Sequence, residues 1–223
     1  MASEETRGSV PVGDASISTA TIAPRSPVAT LIVAHGAGAG MDSPFLAGFC
    51  RAMAQETVST VRFNFPYIER GRRAPDREPL LRETWLAVFN HVAARAREPL
   101  FAGGKSLGGR IASMCVADGM AAAGLVFLGY PLHPPGKADR IRAEHLERVP
   151  VPMLFVEGTR DPFAHPAALG PVLESLGGRA TLETVEGGDH SFKVPGPKVD
   201  AAAIGASLAA IVAPWIRRVN EAR

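Results

Sequence analysis

The sequence predicts a three-layer α/β fold, a mostly parallel sheet with helices on both faces. Three observations predict it. Short, nearly continuous apolar runs recur along the chain, as expected of strands buried on both faces. Segments of helical periodicity separate most of them, which implies parallel strands joined by crossovers. The 223 residues are enough to bury one full core and too few for two, so a single domain is expected over residues 26–223.

The first 25 or so residues are polar and small, expected to be a flexible segment or short edge strands around Ala15 to Ile22. "VATLIVAHG" is an apolar run closed by glycine, a buried strand. "SPFLAGFCRAMAQE" is helical, with Ser43 placed as a cap and Pro44 in the first turn. "STVRFNF" alternates Val61, Phe63 and Phe65 with polar neighbours and predicts a strand. Leu81, Trp85, Val88, Phe89 and Val92 stripe an amphipathic helix over Glu78 to Arg97. "PLFAGG" is a brief strand, followed after Ser106 by a helix through Ile111, Met114 and Cys115. "GLVFLGY" and "VPMLFVEG" are further strands, and Leu169, Val172, Leu173 and Leu176 mark a helix. "ATLETV" is half-polar and suits a sheet edge. Ile204, Leu208, Ile211, Val212, Trp215 and Ile216 stripe the last helix.

Composition narrows the classes of function. The chain is 46% hydrophobic and 21% charged with a net charge of +2, ordinary for a globular protein and too little charge to argue for nucleic acid. Its dense basic cluster, Arg70, Arg72, Arg73 and Arg77, is read either as a solvated loop or as a rim for anionic substrates. The two cysteines, Cys50 and Cys115, form no CxxC, and no His cluster accompanies them, so neither a disulfide framework nor a metal site is expected. Met1 to Arg7 holds two acids and no apolar run, unlike a signal peptide. Ala201 to Ile216 is an uncharged stretch of 16 residues, short of the about 20 a membrane span needs. A cytoplasmic protein with no membrane partner is expected.

The stretch "FAGGKSLGGR" carries the chemistry. As a phosphate-binding loop it would need a glycine at position 99, which is Pro99, so that reading fails. As G-x-S-x-G, Gly104 to Gly108, it is a sharp turn presenting Ser106 between a strand and a helix. The residues two before and two after such a serine must be nearly bare, and both are glycine. A serine hydroxyl is a weak nucleophile without a base, and the base needs an orienting acid. "VEGTRDP" offers Asp161 and "EGGDHSF" offers His190, each just beyond a strand and in the order this turn requires. Glu157 is the alternative acid, one step into the strand end, whereas Asp189 is read as a loop group. His91 and His145 are assigned to the surface, and His133 and His165 to loops near the sheet edge. "HGAGAG", His35 to Gly40, follows the first strong strand and is suited to an oxyanion loop: the N–H of Ala37 would join that of Leu107, with His35 supporting the loop.

With these motifs in place, the chain from about Val28 onward resembles the α/β-hydrolases. "RFNFPY", "GRRAPD" and "GYPLHPPGK" more narrowly resemble small bacterial hydrolase-like proteins. Eukaryotic relatives of these include a testis-expressed protein and subunit 3 of the non-specific lethal chromatin complex. Dienelactone hydrolases are similar in size, but their nucleophile is usually Cys where this chain has Ser106. The resemblance implies a serine hydrolase of a small-molecule carboxylic ester or thioester that needs no cofactor. It also implies no large cap, since only about 20 residues separate Tyr130 from the strand at Val151. The site would then be open, shaped by "YPLHPPGK" and by the Tyr67 to Asp76 loop, with Tyr67, Arg72, Arg73, Tyr130 and His133 as candidate substrate contacts. Two other readings stay open, a peptide or amide hydrolase and an interaction scaffold that keeps the fold without useful catalysis.

Overall fold

The computed structural model describes residues 4–196 and 198–223. An antiparallel hairpin comes first, β1 (Glu5–Val12) and β2 (Ala15–Ile22). There follow β3 (Ala29–Ala34), α1 (Pro44–Gln55), β4 (Val58–Phe63), the single turn α2 (Pro66–Glu69) and α3 (Glu78–Ala93). Then come β5 (Leu100–Lys105), α4 (Leu107–Ala117), β6 (Leu125–Leu128), β7 (Met153–Gly158), α5 (Pro166–Leu176), β8 (Ala180–Val185), α6 (Ala201–Ser207) and α7 (Ala209–Glu221). The strands form one eight-stranded sheet in the order β1-β2-β4-β3-β5-β6-β7-β8, parallel from β4 to β8.

Strand periodicity divides the core between the two faces. Ile32, Ala102, Phe127 and Phe155 join the cluster under α3, α4 and α5. Their neighbours Val33, Phe101, Val126 and Val156 join the one under α1, α6 and α7. Every residue of β3, β4, β6 and β7 is buried, whereas β8 is only half-buried, as its polar alternation predicts. Cys115 is buried on α4, and burial pushes its thiol up to about 12.

Some boundaries differ from expectation. The long helix stops at Ala93, four residues before Arg97, and Ser43 occupies the first cap position without a side-chain capping bond. The last helical stripe breaks at Leu208 into two helices, and its apolar residues Ile204, Leu208, Val212, Trp215 and Ile216 lie buried. The run Ala201–Glu221 is long and apolar enough to cross a membrane by length and composition, with 44% of its most apolar window buried inside the protein. The segment joining β6 to β7 contains one short 3₁₀ turn, Glu144–Arg148, and no cap.

β4 looked half-polar in sequence because of Arg62. Its side chain is 2% exposed and is paid for locally. Nη2 donates to Glu5 Oε2 at 2.7 Å and to Asp42 Oδ1 at 3.1 Å, and Nε donates to the Met41 carbonyl at 3.0 Å. This cation ties the hairpin to β4 and to the loop after β3. Arg62→Ala is expected to lower unfolding free energy by about 3 kcal/mol, since it removes a buried side chain's packing together with its bonds to Glu5, Asp42 and the Met41 carbonyl; urea unfolding of both proteins measures the loss.

Candidate active site

The site sits at the carboxyl ends of β3, β5, β7 and β8, where parallel sheets leave strand-end loops free. β5 runs straight into α4 through Ser106, whose backbone is at φ 50°, ψ −114°. Gly104 is at φ +150°, and a Cβ on Gly104 or Gly108 would overlap the Ala34 carbonyl oxygen at the end of β3. That close approach forces glycine at both positions and leaves Ser106 at the tip of the turn.

His190 Nε2 lies 3.0 Å from Ser106 Oγ, and His190 Nδ1 lies 2.6 Å from Asp161 Oδ2. The other oxygen of Asp161 accepts the Phe163 N–H at 2.8 Å, so both are used. The Asp161 side chain is fully buried, and that of His190 is 23% exposed. Two backbone bonds tie the Asp161 loop to β8 and the loop after it: Arg160 N–H donates to Gly188 O at 2.8 Å and Thr159 N–H to Val185 O at 3.1 Å. Phe163 packs on the His190 ring, centroids 4.6 Å apart. Asp189 points into its own loop, accepting the N–H groups of Ser191 and Lys193.

Glu157 does not reach His190. It is 2% exposed, one oxygen accepts the Tyr130 N–H at 2.6 Å, and the other has no partner. Burial raises its pKa well above the ordinary carboxylate value. Lys105 lies nearby with an unpartnered, buried Nζ; burial pushes it down to about 8 against the pull of Asp161, Glu157 and Asp189.

Gly36 and Ala37 border the same space, and a Cβ on Gly36 would stand 3.7 Å from Ser106 Cβ. Leu107 opens α4, where a helical N–H has no partner within its own helix. His35 is fully buried beneath the loop: Nδ1 faces Gly36 O at 2.9 Å, and Nε2 accepts the Phe65 N–H at 3.1 Å. Those bonds match a neutral ring protonated on Nδ1, and burial pushes its pKa down to about 4.

The cavity above Ser106 has a volume of about 570 Å³. Of the five candidate substrate contacts only His133 lines it. Tyr67 and Tyr130 are core residues instead: Tyr67 packs edge-on against His35, and Tyr130 against Phe127 and Phe155. Arg72 is turned to Asp76, 2.7 Å away, and neither it nor Arg73 borders the cavity, so the Tyr67 to Asp76 loop does not shape the site. The opposite wall comes from Phe45, Leu46 and Ile204 of α1 and α6. His145, expected at the surface, is half-buried with Nε2 at 2.8 Å from Ser113 Oγ. His165 caps α5, accepting the Ala167 N–H. The sequence reading missed Arg110 and Arg142, which both line the cavity. Arg110 was within reach of it, four residues after Ser106 and thus on the same helical face; Arg142 sits in an irregular segment and carries no such signal. Among the described residues no cluster of His, Cys, Asp or Glu is fit to hold a metal.

A model of the alpha/beta hydrolase domain matches residues 27–213. A dienelactone hydrolase from Anabaena variabilis superposes with a TM-score of 0.77 at 19% identity, over 98% of this chain and 99% of that one. A serine hydrolase without a lid from Xanthomonas campestris gives 0.77 at 21% identity, over 96% and 94%. The esterase domain of a Rhodothermus marinus protein gives 0.74 at 13% identity, over 96% and 98%. At these identities the likeness speaks for the fold.

His35 has a consequence for stability. The unfolded chain takes up a proton on this imidazole near pH 6.5 and the folded chain only near pH 4. Its contribution is therefore complete above pH 6.5 and is lost as pH falls toward 4. About 2 kcal/mol is expected to disappear between pH 7 and pH 5. Denaturant midpoints at the two pH values measure it, and His35→Gln should flatten that part of the slope.

Proposed function

The chain belongs to the alpha/beta hydrolase family, and from that premise we propose that it is a serine hydrolase of carboxylic esters or thioesters. The observation that carries the reading is the hydrogen-bonded relay Ser106–His190–Asp161, with a nitrogen of one imidazole facing each partner. His190 Nε2 takes the proton of Ser106 Oγ as that oxygen attacks the substrate carbonyl. Asp161, dry and held by the Phe163 N–H, keeps the ring's other proton on Nδ1 and balances the imidazolium that forms. The carbonyl oxygen, now carrying a full negative charge, turns toward the N–H groups of Ala37 and Leu107. One such donor is worth roughly 3 kcal/mol in a preorganised site. His190 then gives its proton to the departing alcohol or thiol, leaving an acyl group on Ser106. Water, deprotonated by the same imidazole, releases the acid and restores the serine.

The surroundings fit this cycle. The absence of a cap leaves the cavity open to a small molecule, and the apolar wall of Phe45, Leu46 and Ile204 receives its uncharged part. The names of two similar structures, a dienelactone hydrolase and an esterase domain, agree with ester chemistry.

A fluorophosphonate probe tests the nucleophile without knowledge of the substrate. Labelling is expected at Ser106, located by mass spectrometry, and is expected to vanish in Ser106→Ala while the far-ultraviolet spectrum stays that of the parent protein. Folded parent protein that takes up no label would overturn the reading. Asp161→Asn is expected to lower ester turnover about 10³- to 10⁴-fold, by releasing the imidazole from its working tautomer; steady-state kinetics on a short-chain aryl ester measure it.

A further inference from the structure

Four cationic side chains, Lys105, Arg110, Arg142 and Lys193, border the cavity over Ser106, and no Asp or Glu is among its described lining residues. The whole chain has a net charge of only +2, so four cations with no lining carboxylate make a local excess. Cavities lined by one sign of charge focus their field on the space they enclose.

Arg110 and Arg142 are the pair that makes this chemically specific. Arg110 lies one turn along α4 from the nucleophile, its N–H donating to the Ser106 carbonyl at 3.1 Å. Its side chain is 11% exposed, and Nε is buried with no hydrogen-bond acceptor. The carboxylate of Glu78 stands 3.8 Å from Nη1, an ion pair without a hydrogen bond. Arg142 is anchored through its N–H to Leu132 O at 2.7 Å, and its Nε is likewise buried and without an acceptor. Burial, and next to it the charge of Arg110, lowers the pKa of Arg142. Folding has thus placed two guanidinium groups close together, partly dry and short of acceptors. Such groups are costly unless an anion completes them. A guanidinium offers its donors in a planar fork matched to a carboxylate or a phosphate.

We propose that the cavity selects esters or thioesters bearing a second, anionic group, a carboxylate or a phosphate, which Arg110 and Arg142 bind while the scissile carbonyl lies at Ser106. This rests on the hydrolase reading above. Hydrolysis at Ser106 leaves the anionic group untouched, since it binds and does not react.

The test uses substrates that differ in that charge. Phenyl hydrogen glutarate is set against phenyl methyl glutarate, 4-acetoxybenzoate against its methyl ester, and acetyl coenzyme A against S-ethyl thioacetate. Each kcat/KM is divided by the spontaneous rate of the same compound. In at least one pair the charged member is expected to be favoured about tenfold or more, and the pair that responds separates carboxylate from phosphate. The ratio should fall toward one in Arg110→Gln/Arg142→Gln and, as a milder change, in Arg142→Gln. It should stay at the parent value in Arg72→Gln, which removes one positive charge outside the cavity. Ratios near one in all three pairs, or a preference that survives the double substitution in folded protein, would overturn the proposal while leaving the hydrolase reading intact. Failure of the hydrolase reading is distinguishable: Ser106 takes no fluorophosphonate and no ester turns over. Calorimetric titration of Ser106→Ala with glutarate and with inorganic phosphate then decides the anion site alone. Binding lost on adding Arg110→Gln supports it, and no binding of either anion overturns it.

Discussion

The molecule depends on one close approach, the turn from β5 into α4 pressed against the end of β3. Gly104 and Gly108 both stand where any side chain would strike the Ala34 carbonyl oxygen. With no room to relax, the chain reverses within Ser106 itself, at a positive φ that a serine rarely adopts. The strain has a structural product. It leaves Ser106 at the tip of the turn, with Gly36, Ala37 and Leu107 bordering the same cavity. The same tight packing lets β3 and β5 pair as adjacent strands, so the centre of the sheet and the centre of the site are one feature.

Around that turn the fold manages buried polarity by giving each group a separate solution. Arg62 is buried with carboxylate and carbonyl acceptors. His35 is buried neutral, one nitrogen donating and the other accepting, and so holds the loop after β3 to the residues after β4. Asp161 is buried with two donors. Glu157 and Lys105 each keep an unpartnered polar atom, as Arg62 does at Nη1. Burial pushes the Glu157 carboxyl up and the Lys105 amine down, in opposite directions from their ordinary values. The guanidinium groups of Arg110 and Arg142 differ from these because their incomplete environment opens onto the cavity.

Openness follows from what the chain omits. The segment between β6 and β7 folds into loops and one 3₁₀ turn that border the cavity, and among the described residues no cap domain stands over Ser106. The walls are instead borrowed from opposite layers: α1 and α6 supply an apolar side, and α4 with the Pro131 to Arg142 segment supplies a cationic one. A site made this way takes its polarity from helices whose first duty is packing.

Much of the fold was legible from local pattern. Runs such as "TLIVA" and "MLFV" mark strands because both of their faces must be apolar, and the stripe of Leu81, Trp85 and Val88 marks a helix because 3.6 residues complete a turn. G-x-S-x-G, with Asp161 and His190 after later strands, was legible because steric and chemical needs there restrict residue type within a few positions. The termini of Ser43 and of the Glu78 helix were less so, since capping is decided by bonds of about 1 kcal/mol that tertiary context can replace. Tyr67 and Tyr130 lie next to motifs in sequence, yet tertiary packing turned both rings into the core. Arg72 and Arg73 belong to the conspicuous basic cluster, but Arg72 found its partner in Asp76. The sequence by itself determined the layered architecture and the order in which Ser106, Asp161 and His190 follow their strands, because those rest on periodicity and on short steric motifs. Only the tertiary structure decided which residues face the cavity. That choice depends on side-chain direction between segments far apart in the chain, as with Arg142 beside Arg110, and no local pattern encodes it.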